Sequence, residues 1–175
     1  MDTDWMRRQV AEWMKPERNS YFHAFNWGYK DMKPIAFAEP YIEQTEGQVY
    51  DYKFFCCYGE PKFWFIATDR FEKEGKQGLT HDFFDMDFNK LEFDYGNRGH
   101  SELPLEKPRF YDEMVRSAKL LSKPFPFVRV DFYETDDTFY VGEMTFYPGG
   151  GILRFDPIEW DYRLGEYITI PEKRG

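Results

Sequence analysis

Two acidic residues and an arginine carry the clearest chemical signal in this sequence. Arg129 precedes Asp131 by two positions, and Glu143 precedes Thr145 by the same spacing. Residues two apart in a β-strand project from one face, so each pair would share a face. Carboxylates gathered beside a single arginine are unfavourable unless a further cation compensates them. Magnesium does so with hard oxygen ligands, commonly one or two carboxylates together with phosphate oxygens.

These residues fall on a predicted β-hairpin. Its strands span 127–133 and 138–147, with a turn near Asp136. A three-residue turn would place Asp131 directly opposite Glu143, whereas a two-residue turn would shift the pairing by one position. The alternation of side chains leaves both registers open.

Two interpretations of the hairpin follow. In the first, the two carboxylates hold magnesium and Arg129 stabilises charge on a phosphoryl group during its transfer. In the second, the residues form a salt-bridged sheet face in which Arg129 neutralises Asp131 and Glu143. Periodicity is compatible with both interpretations.

Strands with few helices predict an α+β fold, and the length of 175 residues suits one domain over 1–175 or two small lobes. Val128, Val130 and Phe132 share the hairpin face that should pack on a helix. The predicted elements are a helix at 4–15, strands at 35–42, 49–58 and 62–68, an irregular excursion at 79–107, a helix from Pro108 to Ser122, the hairpin, and a capping tail at 158–170.

The composition restricts the class of partner and compartment. Lys and Arg number 23 against 32 Asp and Glu, so the net charge of −9 disfavours nucleic acids and anionic membranes as partners. No apolar stretch approaches the roughly 20 residues of a membrane span. The chain opens without a signal peptide, and the adjacent Cys56 and Cys57 suit buried thiols rather than a disulfide. We therefore expect a cytoplasmic protein.

Several segments together resemble the TupA-like ATP-grasp family, named for teichuronopeptide synthesis. The hairpin reads FVRVDFY at 127–133 and YVGEMTFYPGG at 140–150, similar to the closing motif of ATP-grasp ligases. Upstream, IAFAEPYI at 35–42, DYKFFCCYGEPK at 51–62 and TDR at 68–70 occur in the family's order. The resemblance covers nearly the whole chain and implies an ATP-grasp-like antiparallel sheet with flanking helices.

The resemblance assigns roles within the segment 108–151, a helix followed by a catalytic, metal-binding hairpin. By position, Arg129 would contact the transferred phosphoryl group. Asp131 and Glu143 would be magnesium ligands. Thr145 stands where the superfamily usually has asparagine, and its hydroxyl oxygen remains a third potential ligand.

The same resemblance makes the segment 35–70 the nucleotide hinge and its hairpin, with ATP as the implied cofactor. The residues implied in nucleotide binding are Glu39 and Tyr41 at the hinge, Asp51 at the ribose, and Lys53 and Arg70 near the phosphates. Each also has a simpler interpretation as a solvated strand end, an exposed lysine or a local ion pair.

The phosphate-binding elements that the earlier lobe of ATP-grasp proteins supplies are not evident in this sequence. Residues 1–34 hold one glycine, Gly28, and therefore no Gly-rich loop, while Lys30 and Lys33 have no distinguishing context. We expect the family's N-terminal portion to be missing. A truncated product, a fragment, and a chain completed by a partner or a second copy are the three explanations.

Three functions remain open from the sequence. The resemblance favours an ATP- and Mg²⁺-dependent ligase joining a carboxylate to an amine, with a carboxylate-bearing saccharide or polymer precursor as acceptor in cell-surface polysaccharide biosynthesis. The second is a metal-dependent glycosyltransferase using Asp85 and Asp87, a pattern that is weak because aspartate is abundant. The third is a non-catalytic remnant that binds nucleotide weakly.

Overall fold

The computed structural model describes residues 2–15, 26–42, 50–68, 79–96, 98–102 and 104–169. The chain divides into two compact units. The smaller comprises Met1–Ile42 with Tyr147–Ile152, and the larger comprises Glu43–Phe146 with Leu153–Gly175.

The smaller unit contains helix α1, Thr3–Trp13, and a 3-10 turn at Trp27–Tyr29. Asp2 caps α1 by accepting hydrogen bonds from the first-turn amides, as a short acidic side chain does at this position. The strand expected at 35–42 is wrong, because this exposed segment has no regular secondary structure. Pro34 and Pro40 each remove a backbone donor, and apolar residues alone do not make a strand that has no partner.

The larger unit is built on a six-stranded antiparallel sheet with strand order β4-β3-β2-β1-β6-β7. Its strands are β1 Asp51–Cys57, β2 Glu60–Thr68, β3 Thr80–Phe84, β4 Lys90–Leu91, β6 Val128–Glu134 and β7 Phe139–Thr145. A second ladder pairs β5, Asp94–Tyr95, with β8, Phe155–Asp156. Helices α2, Tyr111–Ser122, and α3, Glu159–Gly165, complete the α+β fold expected from the sequence.

One sheet face packs against α2. Val128, Val130 and Phe132 are fully buried in the same core cluster as Met114 and Ala118 of α2, which confirms the predicted inward face of the hairpin. The spacing of four between the two helical residues places both on one side of α2. The helix begins three residues after Pro108, and the amide of Phe110 just before it donates to Glu134 Oε1 of β6 at 2.8 Å. The helix α2 and the hairpin therefore contact each other both in the core and at the start of the helix.

The opposite face carries a second core made mainly of aromatic rings. Phe55, Phe63, Phe65 and Phe83 pack with Leu164 of α3 and with residues of the small ladder. The predicted tail therefore does cap the core. None of the helices in the described part of the chain is long and apolar enough to cross a membrane.

Candidate functional site

The register of β6 and β7 places Asp131 directly opposite Glu143, and Arg129 opposite Thr145. The turn alone does not set this register, because a four-residue connection, 135–138, joins the paired residues Glu134 and Phe139. Between the turn and the acids, pairing slips by one residue at a β-bulge that contains Gly142. The bulge brings Glu143 to the same face as Asp131.

Gly142 leaves room for a tyrosine ring on that face. A Cβ atom at Gly142 would lie 2.5 Å from Cε2 of Tyr133 and 3.1 Å from its Cδ2. The two residues are diagonal neighbours across the strands, a spacing that an aromatic side chain can span. The ring therefore covers the glycine backbone beside Glu143, a contact that no larger residue at 142 permits without movement.

Arg129 joins both acids. Its Nε donates to Asp131 Oδ1 at 2.7 Å and its Nη2 to Asp131 Oδ2 at 2.6 Å, which is a two-point contact. The same Nη2 donates to Glu143 Oε1 at 2.9 Å and to Thr145 Oγ1 at 3.0 Å. Thr145 in turn donates to Glu143 Oε1 at 2.6 Å. The four residues of the sequence motif, whose register the sequence left open, are thus brought together on one sheet face.

Lys53 enters the same group from the neighbouring strand. Strand β1 lies beside β6 with Lys53 opposite Asp131, and its Nζ is 2.5 Å from Asp131 Oδ2. Nζ also lies 2.7 Å from Oδ2 of Asp51, two residues earlier on the same face. We call this group the acid–base cluster; it comprises Asp51, Lys53, Arg129, Asp131, Glu143 and Thr145.

Exposure varies steeply within the acid–base cluster. The side chain of Asp131 is 0% exposed and that of Arg129 is 11% exposed, whereas Glu143 is 59% exposed. Lys53 and Asp51 are also buried, at 9% and 4%. The cluster is therefore a buried ion network that reaches solvent through Glu143 on the edge strand.

Burial and pairing act in opposite directions on the acids. Desolvation raises the pKa of the Asp131 carboxyl, while hydrogen bonds from Arg129 and Lys53 oppose that rise. The pKa of Arg129 is raised by Asp131 and Glu143 despite desolvation, so the guanidinium stays charged. Partial burial acts to raise the pKa of Glu143, but the Thr145 hydrogen bond and the positive charges lower it overall.

The donor set suits magnesium chemically, although the side chains also satisfy one another. Two cations against three carboxylates leave a net charge of −1 in the acid–base cluster. Among the described residues, no group of three or more His, Cys, Asp or Glu side chains is arranged to hold a metal. Magnesium needs only one or two carboxylates when phosphates supply the other oxygens, so Asp131, Glu143 and Thr145 fit that requirement. Asp131 can contribute only if a cation withdraws from it.

The other predicted nucleotide residues differ in their surroundings. Glu39 and Tyr41 lie in the smaller unit on an exposed segment, with 88% of Tyr41 accessible. Asp51 is buried against Lys53 rather than solvated at a strand end. Arg70 lies outside the described residues. The nucleotide roles of these residues stay predictions.

Asp85 of the glycosyltransferase pattern serves a turn. Its Oδ1 accepts hydrogen bonds from the amides of Asp87 and Asn89, and its Oδ2 accepts one from the Asn89 side chain. Although desolvation acts to raise the pKa of Asp85, these hydrogen bonds lower it overall. Both carboxylate oxygens are thus engaged in local structure, as is common for aspartate in turns.

His81 is a residue that the sequence reasoning did not connect with the site. Ala67 pairs with Asp51 on one side and with His81 on the other, so the three occupy one row across the sheet. Desolvation, together with the charges of Arg98 and Lys53, lowers the pKa of His81 to about 4. The imidazole is therefore neutral at pH 7. The sequence gave no signal for His81, because the histidines show no metal-type spacing.

Comparison with known proteins gives one match. The family model described as TupA-like ATPgrasp matches residues 2–169. No curated protein and no solved structure matches the chain. The matched range contains the whole acid–base cluster and both described units apart from their outermost residues. This chain belongs to the TupA-like ATPgrasp family.

Proposed function

We propose that the protein is an ATP- and Mg²⁺-dependent ligase that joins a carboxylate to an amine. The observation that carries the proposal is the acid–base cluster. Three adjacent antiparallel strands bring two cations and two acids of the ATP-grasp motif to one sheet face, within hydrogen-bonding distance of one another. Membership of an ATP-grasp family supports nucleotide as the ligand.

Five of the six members of the acid–base cluster have a role in this proposal. Asp131, Glu143 and Thr145 would hold magnesium, which when bound offsets the charge of the nucleotide phosphates. Arg129 presents a planar fork that can hold oxygens of the transferred phosphoryl group, and Lys53 supplies a compact positive charge. Both cations lie on a face of low exposure, where electrostatic contacts are stronger than in water.

The proposed reaction has two steps. A substrate carboxylate oxygen attacks the γ-phosphorus of ATP, the bond to the β,γ-bridging oxygen breaks, and ADP leaves with that electron pair. An amine then attacks the acyl carbon, the amide bond forms, and inorganic phosphate leaves as the amine loses a proton. By family resemblance, the carboxylate belongs to a saccharide or polymer precursor of a cell-surface polysaccharide, and the proposed setting is the cytoplasm.

Calorimetric titration with Mg-ATP tests the proposal directly. We expect binding that requires Mg²⁺ and that weakens by about tenfold or more in Glu143→Gln, since one charged oxygen ligand becomes neutral. Glu113→Gln is the matched control, because Glu113 forms an exposed ion pair with Arg116 on α2, outside the cluster. Equal Mg-ATP affinity in Glu143→Gln and the parent would refute the metal assignment.

Turnover separates the ligase from the nucleotide-binding remnant. Phosphate release from ATP should rise when a carboxylate-bearing saccharide and an amine are supplied together. Mg-ATP binding without phosphate release under those conditions would favour the remnant instead. Hydrolysis of a sugar nucleotide in place of ATP would favour the glycosyltransferase.

A further inference from the structure

We propose that Asp51 is a positioning residue that gives Lys53 a second anion to bind when the Asp131 carboxylate is engaged by magnesium. The inference rests on the proposed function. Its basis is the sharing of one ammonium by two buried acids: Nζ of Lys53 lies 2.5 Å from Asp131 Oδ2 and 2.7 Å from Asp51 Oδ2. Asp51 and Lys53 are two residues apart on β1 and share a sheet face.

Asp131 is crowded by cations. Oδ1 accepts from Arg129 Nε, while Oδ2 accepts from both Arg129 Nη2 and Lys53 Nζ. A carboxylate oxygen has two lone-pair sites, so these contacts already occupy both sites of Oδ2. Magnesium also demands near-ideal octahedral geometry. Asp131 can therefore serve as a ligand only after at least one cation has moved away from it.

Lys53 can move only if another anion receives it. Its side chain is 9% exposed, and a buried ammonium without a partner is strongly unfavourable. Asp51 provides that partner on the same strand, so the ammonium can leave Asp131 without crossing to solvent. Arg129 would turn to the phosphoryl oxygens of the bound nucleotide, in the role that the proposed function gives it. The arrangement lets both cations stay charged and paired during the exchange.

The family resemblance suggested a different role for Asp51, as a contact to the ribose. The two roles predict different ligand dependence. A ribose contact would be lost for adenosine as well as for Mg-ATP when Asp51 is changed. A positioning role would leave adenosine binding alone and would reduce only the part of the affinity that depends on metal and phosphates.

Asp51→Asn distinguishes these roles by calorimetry with adenosine and with Mg-ATP. We expect unchanged adenosine affinity and an Mg-ATP affinity reduced about tenfold or more, because Lys53 then stays on Asp131. Asp82→Asn is the matched control: Asp82 is equally buried and also holds a lysine, Lys90, at 2.7 Å, but outside the cluster. A parallel loss of adenosine and Mg-ATP affinity in Asp51→Asn would overturn the inference.

A second measurement needs no nucleotide. Reductive methylation with ¹³C-formaldehyde reports how accessible each lysine amine is. Lys53 should stay protected in Asp131→Asn, where Asp51 still holds it, and should become labelled when Asp51→Asn is added. Labelling of Lys53 in Asp131→Asn as fast as that of the half-exposed Lys119 would show that Asp51 does not hold it. If even the parent fails to bind Mg-ATP, the proposed function fails, while the labelling still decides this point.

Discussion

Arg129→Met should destabilise the larger unit because it leaves the Asp131 carboxylate buried with one cation instead of two. Methionine keeps most of the length of the side chain and removes every hydrogen-bond donor. In the parent, Arg129 Nε donates to Asp131 Oδ1 at 2.7 Å, and the carboxylate is 0% exposed. The variant therefore tests the buried network directly.

The size of the expected loss of stability depends on the burial of Asp131 and on its remaining contact with Lys53. Removing one partner of a buried ion pair costs about 3–5 kcal/mol. Lys53 still contacts Oδ2 at 2.5 Å, so we expect the lower end, about 3 kcal/mol. For a chain of this size that corresponds to a fall in Tm of about 6–12 °C. An exposed ion pair, by contrast, contributes about 0–1 kcal/mol.

Urea unfolding followed by circular dichroism measures this loss, with the denaturant slope checked for constancy. The control is Arg129→Met combined with Asp131→Val, which removes the stranded charge and should recover most of the stability, since apolar replacements of buried pairs are often neutral. An exposed ion pair contributes at most about 1 kcal/mol. A loss below about 1 kcal/mol in Arg129→Met would therefore refute the conclusion that Asp131 is a buried ion held by this arginine.

Three further predictions follow from the same geometry. Glu143→Gln should lower Mg-ATP affinity yet leave Tm nearly unchanged, because its side chain is 59% exposed; a large fall in Tm without ATP would support the salt-bridge interpretation. Gly142→Ala should lower the free energy of unfolding in urea by about 1–3 kcal/mol, because the new methyl group overlaps the Tyr133 ring. Gly142→Ala combined with Tyr133→Ala, which removes the ring, should be more stable than Gly142→Ala combined with Tyr133→Phe, which keeps it. The free energy of unfolding should fall as pH drops from 6.5 towards 4, because the folded state keeps His81 neutral while the unfolded chain binds a proton. ¹H–¹³C NMR should find the His81 ring unprotonated at pH 5.5, and a ring that titrates near 6.5 would contradict this assignment.

Local alternation was sufficient to find the hairpin face that carries Arg129 and Asp131. Arg129 and Asp131 had to share a face with spacing two, and the apolar residues that alternate with them had to face the core. The fold class followed in the same way from the number and order of predicted strands. The assignment of the two hairpin faces depends only on backbone geometry within one strand, which neighbouring segments do not alter.

The strand expected at 35–42 shows where local information fails. Its apolar residues suit a strand, but a strand is stable only when a neighbour completes its hydrogen bonds and covers a face. The described segment has neither, and both prolines lower its capacity for pairing. Whether such a run becomes a strand depends on what lies beside it in space.

The amino-acid sequence by itself determined the family, the α+β class and the four-residue motif at 129–145, since these depend on residue identity and short-range periodicity. Tertiary structure decided the register, because the bulge at Gly142 and the turn length act together and neither is readable alone. It also decided that Lys53 and Asp51 join Asp131. Lys53 lies 78 residues from Asp131 in the chain, and only the order of the strands in the sheet brings the two together.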